Sequence, residues 1–207
     1  MNNLILNIDT SSTYLGISLT NNNEYISKLN LYTKNIHDKL IASSTNKILN
    51  ENSLKVSDLS AISVNIGPGS FTGLRVGVAF VKALCFYNSP KLITSLSTEC
   101  YAYQLRNKNR KISIFLKSHS TYYYYHRFNE DTTEDNSCQL IDISSFNFDK
   151  IATDYIIGDY PEIKSEIELN KIEYLSEISN FKFKNSIFTD VINLQPSYIQ
   201  NFIPKNV

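Results

Sequence analysis

Gly67-Pro68-Gly69-Ser70-Phe71-Thr72-Gly73-Leu74-Arg75-Val76-Gly77 holds four of the six glycines in this 207-residue chain. Chains use glycine where φ must be positive or where two backbones must approach closely. An apolar run at residues 61–66 precedes this glycine segment, and a long apolar stretch at residues 72–87 follows it. Their order predicts a buried strand, a tight turn and the start of a helix.

The helix predicted over residues 72–87 is apolar on nearly every side. Its only charged residues are Arg75 and Lys82, which lie seven apart and therefore share one narrow face. A helix of this composition must be covered on more than one side. We expect it to pack on its own sheet with one side and on a partner protein with the other.

The remaining pattern predicts a mixed sheet with helices on its faces. Strands are predicted at residues 4–8, 14–19, 25–31, 61–66 and 92–93, and helices at 37–50, 72–87 and 98–105. The basic, polar run at residues 106–111 is interpreted as a lobe boundary, with an N-terminal lobe over 1–106 and a smaller lobe over 107–207. Further strands are predicted at 112–116, 121–128 and 137–141.

The composition gives no sign of a nucleic-acid or membrane protein. Twenty basic and twenty acidic side chains cancel, and no apolar run is long enough to span a bilayer. Three cysteines without CxxC spacing indicate reduced thiols, so we expect a cytoplasmic protein. The run 106–111 remains either an RNA contact or, as favoured, a solvated turn. The tyrosine-rich run 122–127 remains either a stacking surface or, as favoured, a β-strand.

Candidate chemistry is limited to the end of the first strand. Asp9 and Thr10 are suited to nucleotide phosphate with magnesium, but a plain turn also selects such residues. The glycine segment lacks both the phosphate-loop lysine and the GxGxxG spacing. His37 has Ile41 where a zinc helix needs a second ligand, and no metal site is predicted. No serine or cysteine lies in a nucleophile elbow motif.

Three motifs resemble the TsaB (YeaZ) family. They are residues 8–11 (Ile-Asp-Thr-Ser), residues 37–40 (His-Asp-Lys-Leu) and, most specifically, the glycine segment. Within that segment Gly67, Pro68, Gly69, Ser70, Phe71, Thr72 and Gly73 form the signature turn. The C-terminal half matches only at Gly158-Asp159 and at residues 196–199.

The resemblance implies an α/β, actin/sugar-kinase-like (ASKHA) fold with two lobes, the second one reduced. It implies a non-catalytic subunit that pairs with TsaD, and with TsaE, in N6-threonylcarbamoyladenosine modification of tRNA. It further implies a homodimer when TsaD is absent, contact with tRNA only through the complex, no cofactor on this chain alone, and ATP used by the complex. The expected interface consists of Leu40, Ile41, Leu74, Arg75, Val78, Val81 and Lys82, so Val78→Glu is expected to block assembly.

Departures from the family pattern set the alternatives. Ile41 replaces the second metal-binding histidine of the catalytic relative, which argues against a metallopeptidase. Lys117-Ser118-His119 stands where an Asp-Ala-Arg run is usual, and Gln200 replaces a closing arginine. The alternative function is a stand-alone ATP-binding phosphotransferase or ATPase that uses Asp9 and Thr10. Ser11, at a position where a phosphate-binding hairpin prefers glycine, disfavours it.

Overall fold

The computed structural model describes residues 3–33, 36–159, 171–197 and 199. Nine strands occur in them: β1 Leu4–Asp9, β2 Tyr14–Asn21, β3 Glu24–Tyr32, β4 Ala61–Asn65, β5 Lys91–Ser95, β6 Ile112–His119, β7 Tyr122–Phe128, β8 Gln139–Asp142 and β9 Tyr155–Gly158. The α-helices in the same residues are α1 His37–Glu51, α2 Phe71–Asn88, α3 Ser97–Gln104 and α4 Lys171–Lys184. The mixed α/β class expected from the sequence is confirmed.

The first sheet has the order β3-β2-β1-β4-β5. β1, β2 and β3 form an antiparallel meander, whereas β4 and β5 run parallel to β1. Alternation along the strands puts apolar side chains such as Leu6, Ile8 and Ile17 on one face, in a core that also includes residues of α1 and α2. Burial of this face stabilises the unit at about 25 cal/mol per Å².

The opposite face of the first sheet is largely polar and is covered by α4. Ser18 lies 2.6 Å from Ser176 (Oγ to Oγ), and the Ser179 hydroxyl donates to Asn7 Oδ1 at 2.5 Å. All four side chains are buried, so their hydrogen bonds offset the cost of removing them from water. α4 thus docks through a hydroxyl and amide seam as well as through apolar contacts.

The second sheet has the order β8-β7-β6-β9, with β9 parallel to β6. Phe115 on β6 packs edge-on against Phe146, with ring centroids 5.3 Å apart. On β7, Arg127 donates from Nε to Asp154 Oδ2 at 2.7 Å and from Nη2 to Oδ1 at 2.8 Å. Burial alone would raise the Asp154 pKa, but hydrogen bonds from Arg127 and Ser113 outweigh burial and hold that pKa below its ordinary value.

The chain divides into two compact units, and their bounds differ from the predicted lobes. The first unit is drawn from Met1–Cys100 and Asn170–Ser197, and the second from Tyr101–Leu169 and the C-terminal residues. The first boundary therefore lies inside α3 rather than at residue 106. Assignment of all of 107–207 to a second lobe does not hold, because α4 returns to cover the polar face of the first sheet.

Most predicted elements match observed ones, and α2 extends the predicted 72–87 by one residue at each end. Two elements were missed, α4 and β9. The expected burial of Cys85 is confirmed, and burial raises the pKa of its thiol to about 11. Cys85, Cys100 and Cys138, all within the described ranges, form no disulfide bond with one another. No helix in the described ranges has the length and apolar character needed to cross a membrane.

Candidate partner-binding surface

The glycine segment packs α2 against the end of β1. A Cβ atom on Gly73 would lie 2.1 Å from the carbonyl oxygen of Thr10, and one on Gly77 would lie 2.3 Å from Thr10 Oγ1. The backbone therefore approaches too closely for any larger residue. Ser70 caps the helix, since its Oγ accepts from Gly73 N at 3.2 Å. These residues position α2 and form a packing surface inside the first unit.

Asp9 is committed to contacts within the chain. Its Oδ1 accepts from the Ser11 backbone N–H at 2.8 Å, and its Oδ2 accepts from Asn65 Nδ2 at 3.2 Å. Asn65 Nδ2 also donates to Ser97 Oγ at 3.0 Å, so the network joins β1, β4 and α3. Asp9 is buried, and Thr10 is fully buried with no hydrogen bond to its hydroxyl. This arrangement is what the turn interpretation of Asp9 and Thr10 predicts.

Four of the seven predicted interface residues lie in the core of the first unit. Val81 is fully buried, and Ile41, Leu74 and Val78 are at most 6% exposed. A side chain already covered by its own chain has no surface left for a partner, so the prediction of direct contact is wrong for these four. Leu40 is half-buried, packed against the same core.

Arg75 and Lys82, predicted at the rim, do lie toward solvent. Arg75 is exposed and its guanidinium carbon lies 3.7 Å from the ring centroid of Phe71. Lys82 is half-buried and donates from Nζ to the carbonyl oxygen of Ile192 at 2.9 Å. Both residues therefore border the outer side of α2, and Ile192 lies beside Lys82.

The outer side of α2 carries an exposed apolar surface that the sequence did not separate from the inner side. This α2 stripe consists of Phe71, Arg75, Ala79, Ala83, Phe86 and Tyr87. Its members recur at helical spacing on one face. Phe86 is 77% exposed and Tyr87 is 90% exposed. A contiguous exposed apolar surface marks an interaction site, and aromatic residues are enriched at protein interfaces.

His37 has a structural environment. It is buried, and its Nε2 lies 3.1 Å from Thr33 Oγ1 and 3.3 Å from the carbonyl oxygen of Tyr14. In the part of the chain that the structure describes, no three His, Cys, Asp or Glu side chains are grouped to hold a metal ion. The histidine instead joins the start of α1 to the β2–β3 hairpin.

The C-terminal motifs also have structural contacts. Gly158 has φ +143°, and a Cβ there would overlap the carbonyl of Phe115. The Asp159 carboxylate accepts from the Lys117 backbone N–H at 3.0 Å, which ties the ends of β6 and β9 together. Ser197 donates to the carbonyl of Ile66 at 2.8 Å. The other motif positions, Tyr198 and Gln200, lie outside the described residues.

The sheet order, the glycine turn and the packing of α1 against α2 define a mixed α/β protein with two sheets. YeaZ from Pseudomonas aeruginosa superposes with a TM-score of 0.77 at 15% identity, covering 94% of this chain and 99% of that one. A second Pseudomonas aeruginosa structure, of a protein with similarity to peptidase YeaZ, gives the same TM-score over 95% of this chain and 99% of that one, at 14% identity. At these identities the likeness shows the fold.

Sequence comparison places the chain in a family. The model described as TsaD, tRNA N6-adenosine threonylcarbamoyltransferase, matches residues 32–192. The TsaB protein of Bacillus subtilis is 39% identical over 82 residues, 40% of this chain and 36% of that protein. TsaB of Buchnera aphidicola (subsp. Baizongia pistaciae) is 31% identical over 115 residues, 54% of this chain and 50% of that protein. The chain therefore spans half or less of these two relatives, and it belongs to the TsaB (YeaZ) family.

Proposed function

We propose that this chain is a non-catalytic scaffold subunit that pairs with TsaD, and with TsaE, for N6-threonylcarbamoyladenosine modification of tRNA. The observation that carries the proposal is the α2 stripe. Family membership supplies the reaction, since the relatives are named for threonylcarbamoyladenosine biosynthesis. The proposed location is the cytoplasm, where tRNA is modified.

The α2 stripe is suited to a helix of a partner protein. Ala79 and Ala83 have small side chains that let a partner helix approach, and Phe86 and Tyr87 project beside them. Full burial of one large apolar side chain stabilises an association by about 1.5–3 kcal/mol. When TsaD is absent, the α2 stripe of one copy is buried against the same stripe of a second copy in a homodimer, because a two-fold axis brings identical surfaces together.

The polar end of β1 supports a subunit without chemistry of its own. Both oxygens of Asp9 accept hydrogen bonds from the chain, and Thr10 is buried beneath α2. A magnesium-bound phosphate needs carboxylate and hydroxyl oxygens that it can reach. We therefore propose that this chain alone binds no cofactor, that ATP is used by the complex, and that tRNA is engaged through the assembly.

The test is light scattering on the purified chain, alone and mixed with TsaD from the same organism. We expect a homodimer alone and a one-to-one heterodimer in the mixture. The double variant Phe86→Ser with Tyr87→Ser should weaken the heterodimer more than about tenfold, as expected for interface aromatics.

A matched control removes two exposed apolar side chains elsewhere. Phe181 is 56% exposed on α4 and Ile187 is 50% exposed after it. The variant Phe181→Ser with Ile187→Ser should assemble like the parent chain. A chain that ignores TsaD would overturn the proposal, and ATP binding that Asp9→Ala abolishes would favour the phosphotransferase or ATPase alternative.

A further inference from the structure

Positive charge is concentrated in one part of this chain. Residues 100–129 contain no aspartate or glutamate, although the whole chain carries 20 acidic and 20 basic side chains. The basic residues of this segment are Arg106, Lys108, Arg110, Lys111, Lys117 and Arg127. Tyrosines at 101, 103 and 122–125 accompany them. Cations interleaved with aromatic rings are the composition of surfaces that bind nucleic acids.

Two of these cations are neutralised inside the second unit. Lys111 Nζ lies 3.0 Å from Asp135 Oδ1. Arg127 pairs with the buried carboxylate of Asp154 and, at 3.2 Å, with Asp135. These pairs stabilise the β6–β7 region and occupy the carboxylates of Asp135 and Asp154. Lys108 and Arg110, which precede β6, are held differently.

The turn before β6 brings Lys108 and Arg110 to the start of β9. Arg106–Lys108 is a short 3₁₀ helix, and Asn109 follows in the left-handed conformation at φ 49°, which reverses the chain. Lys108 Nζ then lies 5.2 Å from the ring centroid of Tyr155. Arg110 donates from Nε to the carbonyl oxygen of Thr153 at 2.9 Å. The turn is thereby fixed to the second sheet.

The contacts of Lys108 and Arg110 are with neutral groups. A carbonyl oxygen or a tyrosine ring orients a cation without cancelling its charge. Lys108 and Arg110 are both exposed. The hydrogen bonds of Arg110 use Nε and Nη2, and within the described ranges its Nη1 donates to no protein acceptor. Arg106 lies over Tyr103, with its guanidinium carbon 4.3 Å from the ring centroid.

We propose that this basic turn, with Lys108 on the Tyr155 ring and Arg110 on the Thr153 carbonyl, is an RNA-binding surface that contacts the phosphate backbone of the tRNA substrate. The inference rests on the proposed function, which supplies the RNA. The Tyr155 ring and the Thr153 carbonyl hold the two cations in place, so less side-chain entropy is lost when phosphate binds. Backbone contacts of this kind position an RNA without reading its sequence.

The test is fluorescence anisotropy of a labelled tRNA anticodon stem-loop with the full chain assembled with TsaD, at several salt concentrations. The double variant Lys108→Gln with Arg110→Gln should bind about tenfold more weakly. The slope of its log-affinity against log-salt should be smaller in magnitude by about 1.4–1.8, because each of the two lost phosphate contacts removes roughly 0.7–0.9. The matched control is Lys91→Gln with Lys184→Gln, two exposed lysines of the first unit.

The outcomes separate this inference from the proposed function. If the parent complex binds and modifies tRNA and both double variants keep its affinity and salt slope, the basic turn is not an RNA surface and the scaffold function stands. If the parent chain neither assembles with TsaD nor supports tRNA modification, the proposed function fails first. If poly-glutamate displaces a protein bound at the basic turn and no RNA binds there, the turn is a site for an acidic protein partner. That result would overturn the RNA proposal.

Discussion

Single glutamate substitutions at Val78 and Ala79 separate the two sides of α2. The residues are neighbours in sequence, but Val78 is 6% exposed in the core of the first unit, whereas Ala79 is exposed on the α2 stripe. The same charge is therefore introduced into two different environments. Only one of them belongs to the folded monomer.

The expected magnitudes follow from burial. Val78→Glu loses about 1.5–3 kcal/mol of apolar burial and places a carboxyl group where it has no partner, which costs about 1.5–2 kcal/mol more. The total is about 3–5 kcal/mol, a large part of a typical stability of 5–15 kcal/mol. At about 2–4 °C per kcal/mol, the melting temperature should fall by about 6–20 °C. Ala79→Glu should change stability by no more than about 0.5 kcal/mol.

Association with TsaD should respond in the opposite order. Ala79→Glu buries a charge when the α2 stripe is covered, and this should weaken the heterodimer about a hundredfold or more. Thermal unfolding and light scattering on both variants measure the two effects independently. Parent-like stability of Val78→Glu, or equal destabilisation by the two substitutions, would refute the assignment of the two faces. Parent-like assembly of Ala79→Glu would refute the α2 stripe as the interface.

Two further changes test the packing of the glycine segment and the buried histidine of the second unit. Gly73→Ala should lower the free energy of unfolding in urea by about 1–3 kcal/mol despite the better helix propensity of alanine, because the added Cβ meets the Thr10 carbonyl. Ala83→Gly, on the exposed side of α2, should cost only about 1 kcal/mol. A stabilising effect of Gly73→Ala would contradict the close approach of the two backbones. Burial lowers the pKa of His126 to about 4, below an ordinary value of about 6.5. The unfolded chain therefore binds a proton at His126 more readily than the folded chain does. The contribution of neutral His126 to folding stability is complete above about pH 6.5 and is lost as the pH falls toward about 4, with a loss of about 2 kcal/mol at pH 5. His126→Gln should lack this part of the loss of folding stability between pH 7 and pH 5. An equal loss of stability in the parent chain and the variant would contradict the lowered pKa of His126.

The N-terminal strands and helices were readable from the sequence because each has one simple period. β1 and β2 are continuous or alternating runs of apolar residues, which predict strands. α2 follows a glycine segment that predicts a tight turn and the start of a helix. α4 was missed because part of its buried side is hydroxyl and amide. Ser176, Ser179 and Asn180 face the polar side of the sheet, which narrows the buried apolar stripe of α4 to Ile172, Leu175 and Ile178. Periodicity detects apolar burial and is blind to a polar seam.

The two sides of α2 are a second feature that the hydrophobic pattern of the sequence did not distinguish. The sequence identified α2 as a helix that needs cover on two sides. The sequence could not indicate which side of α2 meets the sheet, because apolar residues lie on nearly every side of the helix. By hydrophobicity alone, Val78 and Val81 are no better candidates for burial than Ala79 and Phe86. Four predicted contacts therefore lie in the core. The exposed aromatics became the better candidates only once the sheet had been placed.

By itself the sequence determined the family, the glycine turn and the order of the first elements, since these depend on local conformation and on motifs within about eleven residues. The tertiary structure decided which face of α2 is open, where Asp9 directs its oxygens and that α4 returns to the first sheet. Each of those properties depends on contacts between residues far apart in the chain, such as Asn7 with Ser179 and Asp9 with Asn65. Such contacts form only when the folded backbone brings distant segments together, so no local pattern records them.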